Sequence, residues 1–232
     1  MFVKISSALF ASGLLFSATA SNDFLKDTEF GESPIETGVR FVFGTGSMDD
    51  FEYNAGNGIS KKDLDTNGFR SLQIYGRYFF PVELAGLPLI PFVEGGFRTV
   101  NMEEDEDNFG LNIGNSEVDL GYKSFDLTVS GGVSYLPMQN IKIRGMMGIT
   151  KSLFGLEKKE YNDSSYEVTD AFGLNISTEA LYVVNHRAQF GAGLALDNGT
   201  WEYELKGSGA ISGKYESSYS AASLYLVGSL SF

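Results

Sequence analysis

From Ile35 to Phe232, apolar residues recur at every second position in eight separate segments. The first is Thr37, Val39, Phe41 and Phe43. The second is Leu72, Ile74, Gly76, Tyr78 and Phe80, and the third Leu89, Pro91, Val93, Gly95 and Phe97. Then come Phe125 to Tyr135, Ile141 to Ile149, Phe172 to Tyr182, Ala188 to Leu196 and Leu224 to Phe232. No charged residue falls on this face. The intervening positions carry Arg40, Arg77, Glu94, Arg98, Asp126, Lys142, Arg144 and Glu179, with many glycines such as Gly38, Gly132, Gly148 and Gly193. Period two with one apolar and one polar face is the pattern of β-strands.

Two architectures fit eight such strands: a soluble barrel or sandwich with an apolar interior, and a membrane barrel with an apolar exterior. The segments run nine to twelve residues, the length a tilted strand needs to cross a bilayer. The connections alternate in length. Long ones cover 47–67, 103–121, 155–168 and 197–219, and short ones 81–88, 137–140 and 185–187. That parity is the pattern of outer-membrane barrels, whose short turns and chain ends face the periplasm. Tyr78, Phe80, Tyr135 and Tyr182 fall at the short-turn ends, where an aromatic girdle is expected. The fold predicted is all-β, an eight-stranded antiparallel transmembrane β-barrel. A lipocalin-like exported barrel is the alternative.

Ahead of the alternating region, Lys4 precedes a mostly apolar run from Ile5 to Phe16 and then Ser17-Ala18-Thr19-Ala20. A positive start, a short apolar core and a small-residue end predict a secretory signal peptide over 1–20. Residues 21–34 then form a short periplasmic lead and 35–232 the barrel. The apolar run is too short for a spanning helix, and no later stretch approaches the required length.

Composition removes several functions. There is no cysteine, which excludes disulfides, thiolate catalysis and zinc ribbons. A single histidine leaves no multi-histidine metal site, so no metal and no cofactor is expected. Seventeen basic against 30 acidic residues argue against nucleic acid as a partner. The four long connections hold 20 acidic and 6 basic residues, so the acidity belongs to the predicted outer surface. Its densest run is Glu103-Glu104-Asp105-Glu106-Asp107. It reads either as a solvated, self-repelling loop or as a cation-bridging contact to lipopolysaccharide.

Eight strands enclose a space that side chains fill. The eight inward charges are therefore expected to pair across the lumen, with Glu94, Asp126 and Glu179 facing the basic groups and closing the path. The sharper reading is a narrow ion path that opens when this network rearranges. Inward glycines leave room for Tyr75, Phe79 and Phe92. Trp201 and Tyr203, in the last long connection, read as a strand extended above the membrane or as partner contacts.

The terminal strand from Ser223 alternates correctly and ends in phenylalanine, with Leu226, Gly228, Leu230 and Phe232 on its apolar face. It resembles the signal read by the outer-membrane assembly machinery. With the leader and eight segments, the chain is similar to small Gram-negative outer-membrane barrels such as the OmpA transmembrane domain, OmpX and opacity-type proteins. The resemblance implies a monomeric, non-enzymatic protein in the bacterial outer membrane. Its implied role is structural or surface-interacting, with adhesion or envelope stability as the theme. The implied partners are membrane lipid, lipopolysaccharide, the assembly machinery and an external surface partner. A narrow channel is the second reading. A lipid A-modifying enzyme is the third, and the periplasmic turn expected for His186 counts against it. An apolar uptake path like that of OmpW conflicts with the charged inward face.

Overall fold

The structure, a computed structural model, describes residues 34–54, 59–80, 82, 89–104, 111–113, 116–118, 121–138, 140–154, 158–161, 164–185, 187–206 and 213–232. The strands are β1 (Ile35–Asn54), β2 (Ile59–Phe79), β3 (Leu89–Glu104), β4 (Leu111–Ile113), β5 (Ser116–Val118), β6 (Gly121–Met138), β7 (Ile141–Phe154), β8 (Lys158–Tyr161), β9 (Ser164–Val183), β10 (Ala188–Lys206) and β11 (Gly213–Ser231). Eight of them form a closed antiparallel ring, in the order β1, β2, β3, β6, β7, β9, β10, β11 and back to β1. The seam runs from Glu36 opposite Ser231 to Asp49 opposite Ser218. The short β4 and β5 pair only with each other, and β8 extends the β9 hairpin beyond the end of β7. Closure leaves no sheet edge, so every wall strand has hydrogen-bonding neighbours on both sides.

Through the lower part of the wall the apolar face points out. Ile74, Met147, Ile176, Leu194 and Leu226 are each more than half exposed, and the predicted charges all point in. Tyr78, Tyr135 and Tyr182 are exposed at the short-turn ends, with Phe80 packed edge-on against Tyr78 at 5.3 Å. The chain ends lie here too. Phe232 N–H donates to Ile35 O, and Ser231 N–H donates to Arg187 O in the β9–β10 turn. Asn185 holds that turn by accepting from the N–H groups of Arg187 and Ala188, both at 2.8 Å. His186 lies outside the described residues.

The connections read above as long loops are for the most part strand. β1, β2, β9, β10 and β11 each run 19 to 21 residues. At ~3.3 Å per residue and a tilt of ~40°, such a strand rises roughly 50 Å, far more than a belt of about 25 Å. The sequence hides this because the sense of the alternation inverts. In β10, Leu194 and Leu196 point out. Beyond Asp197 the apolar residues Trp201, Tyr203 and Leu205 point in and are fully buried, while Thr200, Glu202 and Lys206 are exposed. In β9, Tyr166 and Val168 are buried and Thr169 is exposed, whereas Phe172 and Leu174 below them point out. In β10 the strand period never changes, whereas in β9 a bulge at Thr169, opposite the Glu202–Tyr203 step, turns the face over. What changes is the medium outside the wall, from hydrocarbon to water.

This boundary is testable by substitution. Ile176→Arg, in mid-belt, should destabilise the folded protein by about 2–4 kcal/mol in lipid vesicles. Thr200→Arg, outward but above the inversion, should change stability by no more than about 0.5 kcal/mol. Urea unfolding monitored by tryptophan fluorescence reads both, and equal effects would remove the boundary.

Candidate functional site

Ten charged side chains are buried among the described residues, and all ten lie in the lumen. Five are basic: Arg40, Arg77, Arg98, Lys142 and Arg144. Five are acidic: Glu36, Glu94, Asp126, Glu179 and Asp197. Strand parity places them there, because each alternates with outward-facing neighbours on its own strand.

The lower set joins three arginines to three glutamates. Arg40 bonds Glu94 at 2.5 Å and Glu179 at 3.2 Å. Arg77 reaches Glu36 at 3.0 Å, Glu94 at 2.6 Å and Glu179 at 3.0 Å. Arg144 meets Glu36 at 2.7 Å and Glu179 at 3.1 Å. Glu179 thus touches all three arginines. Neutral groups take up the remaining valences: Tyr225 donates to Glu179, Gln189 to Glu36, and Gln73 accepts from Arg40 while donating to Thr128. The guanidiniums also lie over rings, Arg40 on Tyr75 at 4.2 Å and Arg77 on Phe92 at 4.5 Å. Those rings fit because glycine faces them. A methyl built on Gly38 or Gly132 would stand 2.5 or 2.6 Å from the ring carbons of Tyr75 or Phe92.

A second set sits nearer the end away from the chain termini. Arg98 bonds Asp197 at 2.6 Å and Asp126 at 3.1 Å, and its guanidinium also donates to Thr150. A cavity of about 30 Å³ separates the two sets, lined by Arg40, Gln73, Arg98, Thr128, Asp197 and Tyr225 among others. That is room for roughly one water. Apolar side chains close the passage at both ends. Phe79, Ile90, Phe92 and Met146 pack at the chain-end side. Met48, Phe69, Met102, Tyr166, Trp201, Tyr203 and Leu205 fill the strand extension at the opposite end.

All eight lumen charges expected from the sequence therefore point inward, and seven of them meet in the two networks. Lys142 is buried in the same interior. Glu36 and Asp197 were missed. Each lies one position outside the end of an alternating segment, with the inward parity of Arg40 and of Ala195 respectively. Asp197, counted above with the outer acidic surface, belongs to the lumen. Trp201 and Tyr203 lie on β10, the extended strand expected for them, and both point inward as plug residues instead of contacting an external partner. In the acidic run, Glu103 and Glu104 close β3, and Asp105, Glu106 and Asp107 lie outside the described residues. Among the described residues no group of histidines and carboxylates is arranged to hold a metal ion. Leu226, Gly228, Leu230 and Phe232 share the exposed outer face of β11 and the residue after it.

Apolar side chains toward the surroundings and paired charges within invert the order of a soluble barrel. The chain is an eight-stranded transmembrane β-barrel. No family model matches its sequence, and no curated protein matches it. Among solved structures the barrel is similar to the outer membrane protein OprG from Pseudomonas aeruginosa, at 14% identity over 88% of this chain and 98% of that one, with a TM-score of 0.47. It is also similar to Neisserial surface protein A, at 10% identity over 86% and 98% with a TM-score of 0.43. A third is Ail of Yersinia pestis, solved with the heparin analogue sucrose octasulfate, at 9% identity over 85% and 99% with a TM-score of 0.40.

Glu179 is the test of the network. Glu179→Gln leaves three arginines sharing two carboxylates and should cost about 3–5 kcal/mol, the cost of stranding a buried charge. Glu179→Gln combined with Arg144→Met should cost less than the sum of the two single changes. A double-mutant cycle on urea unfolding checks this, and additivity would dissolve the network.

Proposed function

We propose that this barrel resides in a bacterial outer membrane and acts through what its wall and outer extension touch, in a structural or surface-interaction role, without conducting solute or catalysing a reaction. One observation carries this reading: among the described residues the lumen is closed by side chains, apart from a cavity of about 30 Å³ between the two networks. Side chains of both charge networks are no more than 7% exposed, and apolar plugs stand above and below them. A path for ions would need seven ion pairs in the lower set to part at once. Each broken pair would leave charge desolvated at a cost of several kcal/mol.

The orientation rests on turn length. The chain ends and the short turns share one end, which we assign to the periplasm, and the long hairpins share the other, which we assign to the cell exterior. Their outward faces are polar and acidic at Glu202, Glu204 and Glu216. This favours an external partner met at the hairpin tips. In the same reading the barrel is a monomer, and Leu226, Gly228, Leu230 and Phe232 present the assembly signal. With Asn185 and Arg187 at the chain-end side, the turn carrying His186 is remote from the outer leaflet. That supports a non-enzymatic role over lipid A modification.

Planar-bilayer recording of the refolded barrel tests the closed lumen. Silence is expected, with insertion verified by the heat-modifiable gel shift of the same sample. Discrete openings whose size changes in Arg98→Gln would overturn the reading in favour of a narrow channel.

A further inference from the structure

The chamber between the two charge networks is bordered by groups from all eight wall strands. Two short ion pairs stand on its lining, Arg40 with Glu94 at 2.5 Å and Arg98 with Asp197 at 2.6 Å. The first belongs to the lower network and the second to the upper one. Two cations and two anions make the charged lining neutral, so the chamber has no excess charge with which to hold an ion. Among the described residues no ion pair joins one network to the other.

Three groups on the same lining have hydrogen-bonding capacity left over. Ser71 is 8% exposed, and its hydroxyl is buried without a hydrogen-bond partner. Thr128 accepts from Gln73 at 3.2 Å, which leaves its own hydroxyl proton to give. Asp197 meets Arg98 through Oδ1, which leaves Oδ2 to accept. Ser71 stands on β2 and Asp197 on β10, which are not neighbours in the ring. A buried hydroxyl left unpaired is costly, and an apolar occupant would leave both groups so. The chamber, of about 30 Å³, is too small for an organic solute but holds a water.

We propose that the chamber is a binding site for ordered water that joins the two networks, the water accepting from the hydroxyls of Ser71 and Thr128 and donating to Asp197 Oδ2. A buried water needs two to four polar partners, and these three supply them. A bridging water is nearly as good a link as a direct hydrogen bond. The two networks then respond as one, although no side chain spans the gap. The inference deepens the closed-lumen reading above and rests on it: the plug is protein and water together.

The test is a crystal structure of the refolded barrel at a resolution that shows ordered water. A density peak within about 3.2 Å of Ser71 Oγ is expected in the chamber, and a chamber without one overturns the proposal. Crystals grown in sodium bromide and in rubidium chloride identify the occupant, and neither should give an anomalous peak there. A bromide peak would assign an anion site to Arg40 and Arg98, and a rubidium peak a cation site to Glu94 and Asp197. Either would overturn the assignment to water. The joining is read by urea unfolding of Ser71→Ala, Asp197→Asn and the two combined. The combined loss in the unfolding equilibrium constant should fall short of the product of the single losses by at least about twofold. A combined loss equal to that product overturns the bridge. Ser229→Ala removes a hydroxyl that is also buried without a partner but lies off the chamber lining. With Asp197→Asn it should give the simple product, and coupling as large as that of Ser71 would overturn the bridge. Conduction in the planar bilayer would remove the closed lumen and leave the density peak and the unfolding cycle to judge this site alone.

Discussion

Everything else in this molecule depends on closing the ring. A bilayer offers no partner to a peptide N–H or carbonyl, so the sheet must satisfy its own backbone, and eight strands do so with an interior only as wide as side chains. Any charge that strand parity turns inward is then confined among other side chains, out of reach of bulk water. Such charges must answer each other in number as well as in place. The five buried cations and five buried anions meet that demand. The lower network alone pairs three arginines with three glutamates, and its central Glu179 comes from β9, opposite the β1 and β2 arginines in the ring.

That balance explains what could and could not be read from the chain. The belt was legible because lipid outside and polar groups inside impose a strict period of two, and the eight charged residues on its polar parity are all buried. The ledger they left, five positive against three negative, was the one sign that residues were missing. Glu36 and Asp197 were overlooked because the segments were bounded by their apolar face. A strand does not end where its outward residue stops being apolar. Glu36 lies four positions before Arg40 and Asp197 two positions after Ala195, so parity alone assigns both to the lumen once the strands are allowed to continue.

The same bounding error concealed the outer extension. Past the rim the wall still alternates, but water has replaced lipid outside, and the stable arrangement becomes that of a soluble barrel with an apolar core. Trp201 and Tyr203 were legible as a strand extended above the belt, but that they and Leu205 turn inward emerges only when β10 is followed without interruption from Ala188. Tyr203 then stacks on Tyr215 at 5.7 Å and lies 5.8 Å from Tyr166, an aromatic core drawn from β9, β10 and β11. One chain thus solves two solvent problems in two ways: β10 exchanges which parity is apolar, and β9 keeps its apolar parity and turns it inward through the bulge at Thr169.

The point of exchange is where the wall has chemistry to spare. Below it, outward positions must be apolar, and inward ones are committed to the networks. Well above it, outward positions meet only water, and the acidic residues there keep the surface soluble. At the rim a side chain faces headgroups, the one layer where a cation gains from what surrounds the barrel.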